Sequence, residues 1–210
     1  MRGKLVIAAF LLVSGMAQAA PDAGLEIGPG SHVFWTSVYD GGSDNFREAL
    51  LIKGDDFEIY RNEGELSEGT VEDHFVVFSG LYAAPCNGDM PTADERSRLA
   101  EAWPLEPGKT LSIESGDGAE FTVGAAREFF LMGKSWPAHA VSASYGGDES
   151  NAEEFVILDD IALVVSFDWD ENARDTATLV TTPSAGSLEP VATETLGNCA
   201  ELLDTETQKN

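Results

Sequence analysis

Short runs rich in Val, Ile, Phe, Tyr and Thr recur along the chain, with Gly, Asp and Asn between them. That punctuation predicts an antiparallel β domain. "HVFWTSVYD" and "FREALLIKG" flank Gly41-Gly42, and "DFEIYRN" follows as a third strand of a meander. "EDHFVVFSGLYAA" alternates around Phe75 and Val77 and reads as one strand, with Gly80 as a candidate bulge. Further strands follow at "KTLSIES", "EFTVGAAREFFLM", "AHAVSASY", "EEFVILDD", "IALVVSFDW" and "TATLVTT". Asp117-Gly118 supplies a hairpin turn, and Gly124 permits a bulge within its long return strand. The pattern amounts to about nine strands.

One segment breaks the period of two. In "PTADERSRLAEAW" Thr92 is placed to cap a helix, Glu95 completes a capping box three residues on, and Leu99, Ala102 and Trp103 follow at helical spacing. Pro104 forces the helix to stop near Trp103, since the residue before a proline is pushed out of the helical region. "LEPG" then turns the chain, and alternation restarts. Leu99 and Trp103 are expected to face the core.

"WPLEPGKTLSI" resembles an element, Trp-Pro-Leu-x-x-Gly-Lys, of a loose group of uncharacterised secreted bacterial β-domain proteins, in which it precedes an antiparallel meander. In that group a later strand starts from a Val-Pro-Ala-Gly-type step. Here "SWPAHAVSASY" stands in its place, with Pro137 and Ala138 matching and His139 replacing the glycine. The likeness covers about residues 100 to 182; it implies a β architecture and no chemistry.

The first nineteen residues carry Arg2 and Lys4, then an apolar run from Leu5 to Val13, then Ala17 and Ala19. This order is that of a signal peptide cleaved after Ala19, and the run is too short to span a bilayer, which takes about 20 residues. Export to the periplasm or the medium is expected, as a soluble protein. Residues 20–182 then form one domain and residues 183–210 an extended Thr/Ser/Glu-rich tail, with one helical turn near Cys199 to Leu203. Loss of the leader leaves ten basic residues against 37 acidic ones, a net charge of −27. Such a surface repels nucleic acid and anionic lipid. Two cysteines in an oxidising compartment predict a disulfide between Cys86 and Cys199, which would tether the tail.

Motifs for chemistry are sparse. Asp168-x-Asp170-x-Asn172 opens like a calcium loop, but the sixth position is Ala173 and the twelfth Leu179, where such a loop needs Gly and Glu. A solvated hairpin turn is the expected reading. His32, His74 and His139 lack metal-site spacing, and neither a Gly-x-Ser-x-Gly elbow nor a phosphate-binding glycine loop is present. Paired acids such as Asp55-Asp56, Glu153-Glu154 and Asp159-Asp160 are unsurprising among 37 carboxylates. No cofactor and no metal are expected.

Aromatic residues offer the remaining lead. Trp35, Tyr39, Trp103, Trp136 and Trp169 are candidates to line a ligand face, although such side chains more often fill a core. The sequence thus points to a mainly β domain, a strongly curved antiparallel sheet or partly open barrel with one short helix. The leading function is non-catalytic binding of an envelope or extracellular ligand or partner through the concave face, by a monomer. A hydrolase using strand-borne carboxylates or histidines, and a structural accessory module, are the alternatives.

Overall fold

The computed structural model describes residues 24–64, 70–116, 118–146, 152–170, 172–183 and 191–207. The expected leader at 1–19, Asp117 of the predicted turn, and residues 184–190 and 208–210 of the tail lie outside the described residues. Eleven strands form one antiparallel sheet: β1 (His32–Tyr39), β2 (Gly42–Lys53), β3 (Phe57–Asn62), β4 (His74–Phe78), β5 (Tyr82–Pro85), β6 (Thr110–Ile113), β7 (Ala119–Leu131), β8 (Lys134–Tyr145), β9 (Glu153–Leu158), β10 (Leu163–Asp170) and β11 (Ala173–Thr181). Helix α1 (Ala93–Glu101) joins β5 to β6, and α2 (Ala200–Thr207) follows the sheet.

The sheet order is β5-β4-β3-β2-β1-β11-β10-β9-β8-β7-β6, so each half is a simple meander and the halves meet where β1 pairs with β11. The sheet is open, with β5 and β6 at its edges. It curves strongly enough that Phe57, Ile59, Val76 and Phe78 of one half share a core with Phe121, Val141, Phe155 and Ile157 of the other. A second core gathers Val33 of β1, Trp136 of β8, Leu158 of β9 and Val180 of β11.

The count of about nine strands is corrected to eleven. Part of the difference lies at Gly80, which is no bulge. Ser79 (φ 52°) and Gly80 (φ 70°) both adopt the left-handed region, and the Leu81 amide donates to the Phe78 carbonyl at 3.0 Å, so "FSGL" is a tight turn within the three-residue connection, 79–81, that separates β4 from β5. Gly41-Gly42 also differs in detail, because Gly42 already belongs to β2. Strand β8 starts at Lys134, ahead of Pro137, which pairs with Glu128 of β7. The register of β7 against β8 does slip between Val123 and Ala126, around Gly124.

The helix is capped as its sequence dictates. Thr92 Oγ1 accepts from the Glu95 amide at 3.3 Å while Glu95 Oε2 accepts from the Thr92 amide at 2.7 Å. Glu95, only 4% exposed, goes further: its Oε1 accepts from the backbone amides of Glu114 (2.6 Å) and Ser115 (3.0 Å), and its Oε2 accepts from the Ser115 hydroxyl (2.5 Å). Burial opposes ionisation, yet these hydrogen bonds outweigh it and hold the carboxyl well below the usual range. One carboxylate thus ties the start of α1 to the turn after edge strand β6.

The Trp-Pro-Leu-x-x-Gly-Lys element finishes the helix. Lys109 Nζ donates to the carbonyls of Glu101 (2.8 Å) and Ala102 (2.9 Å), placing a cation at the negative end of α1. Leu105 is buried, and Leu99 is fully so. Trp103 is only partly buried and packs against the first core, donating its Nε1 hydrogen to the Ser79 carbonyl at 2.8 Å. The element therefore pins the β4–β5 turn to the helix.

Cys86 and Cys199 are joined by a disulfide, across a sequence separation of 113. The end of the chain is more than tethered. Leu196 and Leu202 are buried in the first core, the Asn198 amide donates to the Cys86 carbonyl at 2.8 Å, and α2 replaces the single predicted turn. Apolar residues at 196 and 202 are spaced too sparsely to announce a helix by pattern alone.

Candidate functional site

Alternation puts Trp35 of β1 beside Phe46 of β2, its register partner, and the rings stack with centroids 6.0 Å apart. Two residues along β2, Glu48 shares that side, and its Oε2 accepts from Trp35 Nε1 at 2.9 Å. Tyr60 of β3 pairs with Phe75 of β4 and stacks on it at 5.5 Å, while Glu58 beside it pairs with Val77. The Tyr60 hydroxyl donates to Glu58 Oε2 at 2.7 Å, and Lys53 holds Glu58 Oε1 at 2.6 Å. From the opposite arm Tyr145, Phe155, Leu163, Val164, Phe167 and Asp175 complete the wall.

Together these residues enclose an open cleft with a cavity of about 220 Å³ between the arms of the sheet. Its rim is set where two hairpin turns touch, because Gly80 of the β4–β5 turn lies directly against the backbone of Ala162 in the β9–β10 turn. The walls are mostly aromatic and aliphatic, and the polar groups among them are carboxylates and phenols.

The apolar surroundings control the ionisation of these groups. Burial pushes Glu48 up to about 7, against the lowering effect of the Trp35 hydrogen bond, and the negative charge of Asp175 adds to the rise. Tyr60 is raised well above its ordinary value, first by burial and then by Glu58. Burial, with help from Glu153 and Tyr82, moves Tyr145 up to about 12. Burial therefore favours the neutral forms of Glu48, Tyr60 and Tyr145, and a positive charge brought in from outside would favour the Glu48 carboxylate.

Of the five aromatic residues picked out from the sequence, Trp35 lines this cleft. Tyr39 donates to Asp44 Oδ2 at 2.7 Å near the far end of β1. Trp103 supports the β4–β5 turn. Trp136 is buried in the second core, its Nε1 donating to the Leu131 carbonyl at 3.1 Å and Lys134 Nζ resting 4.4 Å from its ring centre. Trp169 is 44% exposed and donates to Asp175 Oδ1 at 3.3 Å. Glu48, Tyr60, Phe75 and Phe167 were not legible as site residues. The available signal was a carboxylate two positions from an aromatic in "FRE" and "EIY", which is informative only once the arms are known to face each other.

The three histidines stand apart with partners of their own. His32 lies 3.6 Å from Glu63, His74 Nδ1 is 2.7 Å from the Thr70 carbonyl, and His139 Nδ1 is 2.7 Å from Asp159 Oδ1. Among the described residues no group of three or more His, Cys, Asp or Glu is placed to hold a metal ion. At the calcium-like segment Asp168 is engaged by the guanidinium of Arg174, and Asn172 donates to Asp40 at 3.4 Å.

No protein-family model and no curated protein matches the chain. Among solved structures, the hypothetical lipoprotein YmcC from Escherichia coli K12 is 11% identical, with 78% of this chain and 92% of that chain covered at a TM-score of 0.44. A Bacteroides fragilis protein of YmcC-like fold is 7% identical, with 74% and 97% covered at a TM-score of 0.34. No helix among the described residues is long and apolar enough to cross a membrane.

Proposed function

We propose that this is an exported protein that acts by holding a small, largely apolar ligand in the cleft between the two arms of its sheet. One observation carries the reading: stacked pairs Trp35–Phe46 and Tyr60–Phe75 face Phe155 and Phe167 across a cavity of about 220 Å³. Concave apolar sites with a few fixed polar groups are the usual form of a small-molecule site. The leader-like first nineteen residues and the Cys86–Cys199 disulfide support export. Binding rather than hydrolysis is favoured because the described lining of the cleft offers three carboxylates and two phenols but no Ser, Thr, Cys, Lys or His to pair as nucleophile and base.

The test is titration of the purified protein with the neutral fluorophore N-phenyl-1-naphthylamine. Saturable binding to one site is expected, and Val77→Trp, which fills the cleft from β4, should abolish it with the circular dichroism unchanged. Absence of saturable binding, or binding that survives Val77→Trp in a folded variant, would overturn the proposal.

A further inference from the structure

Resting on the cleft reading, we infer that its ligand is an organic cation, a quaternary or protonated amine carried on an apolar body, with Glu48 as the counter-charge. The chemistry of the wall argues for it. Three carboxylates, Glu48, Glu58 and Asp175, line the cleft, and among the described residues no Lys, Arg or His lines it. Lys53 answers Glu58 at 2.6 Å, which leaves the charge requirement to the other two.

Aromatic faces supply the second element. A cation over a Trp, Tyr or Phe face is attracted by the ring quadrupole, and the attraction grows when water is excluded. Trp35, Phe46, Tyr60 and Phe75 bring such rings to the same cleft as Glu48, in two stacked pairs. An anion would meet carboxylates in an apolar setting, where repulsion is screened least. A neutral ligand would leave Glu48 in its protonated form and make no use of the carboxylate.

The groups facing Glu48 are Trp35 on β1, Tyr60 on β3 and Asp175 on β11; none of them carries a positive charge that could neutralise it. A bound cation would stabilise the carboxylate, and by linkage a carboxylate would bind the cation better. Since burial holds Glu48 near 7, affinity for a permanent cation should rise by about tenfold or more between pH 5.5 and 8.5.

The experiment is displacement of N-phenyl-1-naphthylamine at 150 mM salt by three six-carbon probes: hexyltrimethylammonium, 1-hexanol and hexanoate. The cation should compete at a concentration at least about tenfold lower than hexanol, and hexanoate should be the weakest. Glu48→Gln should bring the cation to the level of hexanol while hexanol itself is unchanged. Glu120→Gln, on an exposed position of β7, should change nothing and so excludes a general effect of the acidic surface. If the fluorophore binds but the cation has no advantage, or keeps it in Glu48→Gln, the inference fails and the cleft reading stands. If the fluorophore does not bind at all, both fail.

Discussion

Gly80 and Ala162 sit in contact across the mouth of the cleft: a β-carbon built on Gly80 would lie 2.1 Å from the Ala162 carbonyl oxygen. The two turns belong to opposite arms of the sheet, so this approach limits how closely the arms come together at the mouth.

Gly80→Ala should therefore be costly for two separable reasons. Left-handed backbone disfavours a β-carbon by about 1 to 2 kcal/mol, and the overlap with a backbone oxygen, which has no side-chain freedom, adds about 1 to 3 kcal/mol. Gly133→Ala is the control, since Gly133 also has positive φ (79°) but has nothing within 4 Å of the added carbon. Denaturant melts should show a loss of about 2 to 5 kcal/mol for Gly80→Ala and about 1 to 2 for Gly133→Ala. Equal losses would mean that the turn contact is unimportant.

Replacing Glu95 by Gln should cost about 2 to 4 kcal/mol at pH 7, because charge-assisted hydrogen bonds from three amides and the Ser115 hydroxyl are weakened at once. The sign of the pH dependence follows from the lowered folded pKa. The stabilisation is present above the unfolded value of 4.5 and is lost as pH falls toward the lower folded value. Melts at pH 7 and pH 3 should show the difference between wild type and Glu95→Gln shrinking with acid.

Glu48→Gln should act in the opposite direction. The folded pKa is raised from 4.5 to about 7, so stability is fully present below 4.5 and falls as pH rises through that interval. At pH 8 the Gln variant should be more stable than wild type by about 1 to 3 kcal/mol, the lower figure allowing for water in the open cleft. At pH 5 the gap should nearly close. A variant less stable than wild type at pH 8 would show that the carboxylate is well solvated.

Cys199→Ser removes a cross-link over a separation of 113 residues, for which the chain-entropy model gives at most about 4 to 5 kcal/mol. Leu196 and Leu202 remain to hold the C-terminal segment in the core. Limited proteolysis should thus show cleavage between residues 183 and 200 accelerated, with the sheet intact. Unchanged protease resistance would mean that apolar docking alone suffices.

What the sequence made legible was local. Thr92 and Glu95 wrote the helix start, Pro104 its end, and alternation in "HVFWTSVY" or "TLSI" the strands, since each signal lies within a few residues of the element it controls. In the sequence Gly80 suits a bulge as well as a turn, because one glycine in an alternating run fits either device, and only pairing of Phe78 with Tyr82 decides between them. The cleft was less legible still. Its walls come from β1 to β5 and from β8 to β11, so a glutamate such as Glu48 looks like any other among 37 acids until curvature brings Asp175 and Phe167 opposite it.

The strand order has a kinetic side. Every pairing in the sheet except one joins strands adjacent in the chain, and the exception brings His32 to Thr181, 149 residues away. Loop-closure entropy is therefore concentrated in a single event, while each arm can zip by successive hairpins. Before the seam between β1 and β11 closes, the protein is two separate ribbons with their central strands exposed as edges. After it closes, those two strands lie at the middle of the sheet, and only β5 and β6, tied together through α1, are left at its margins.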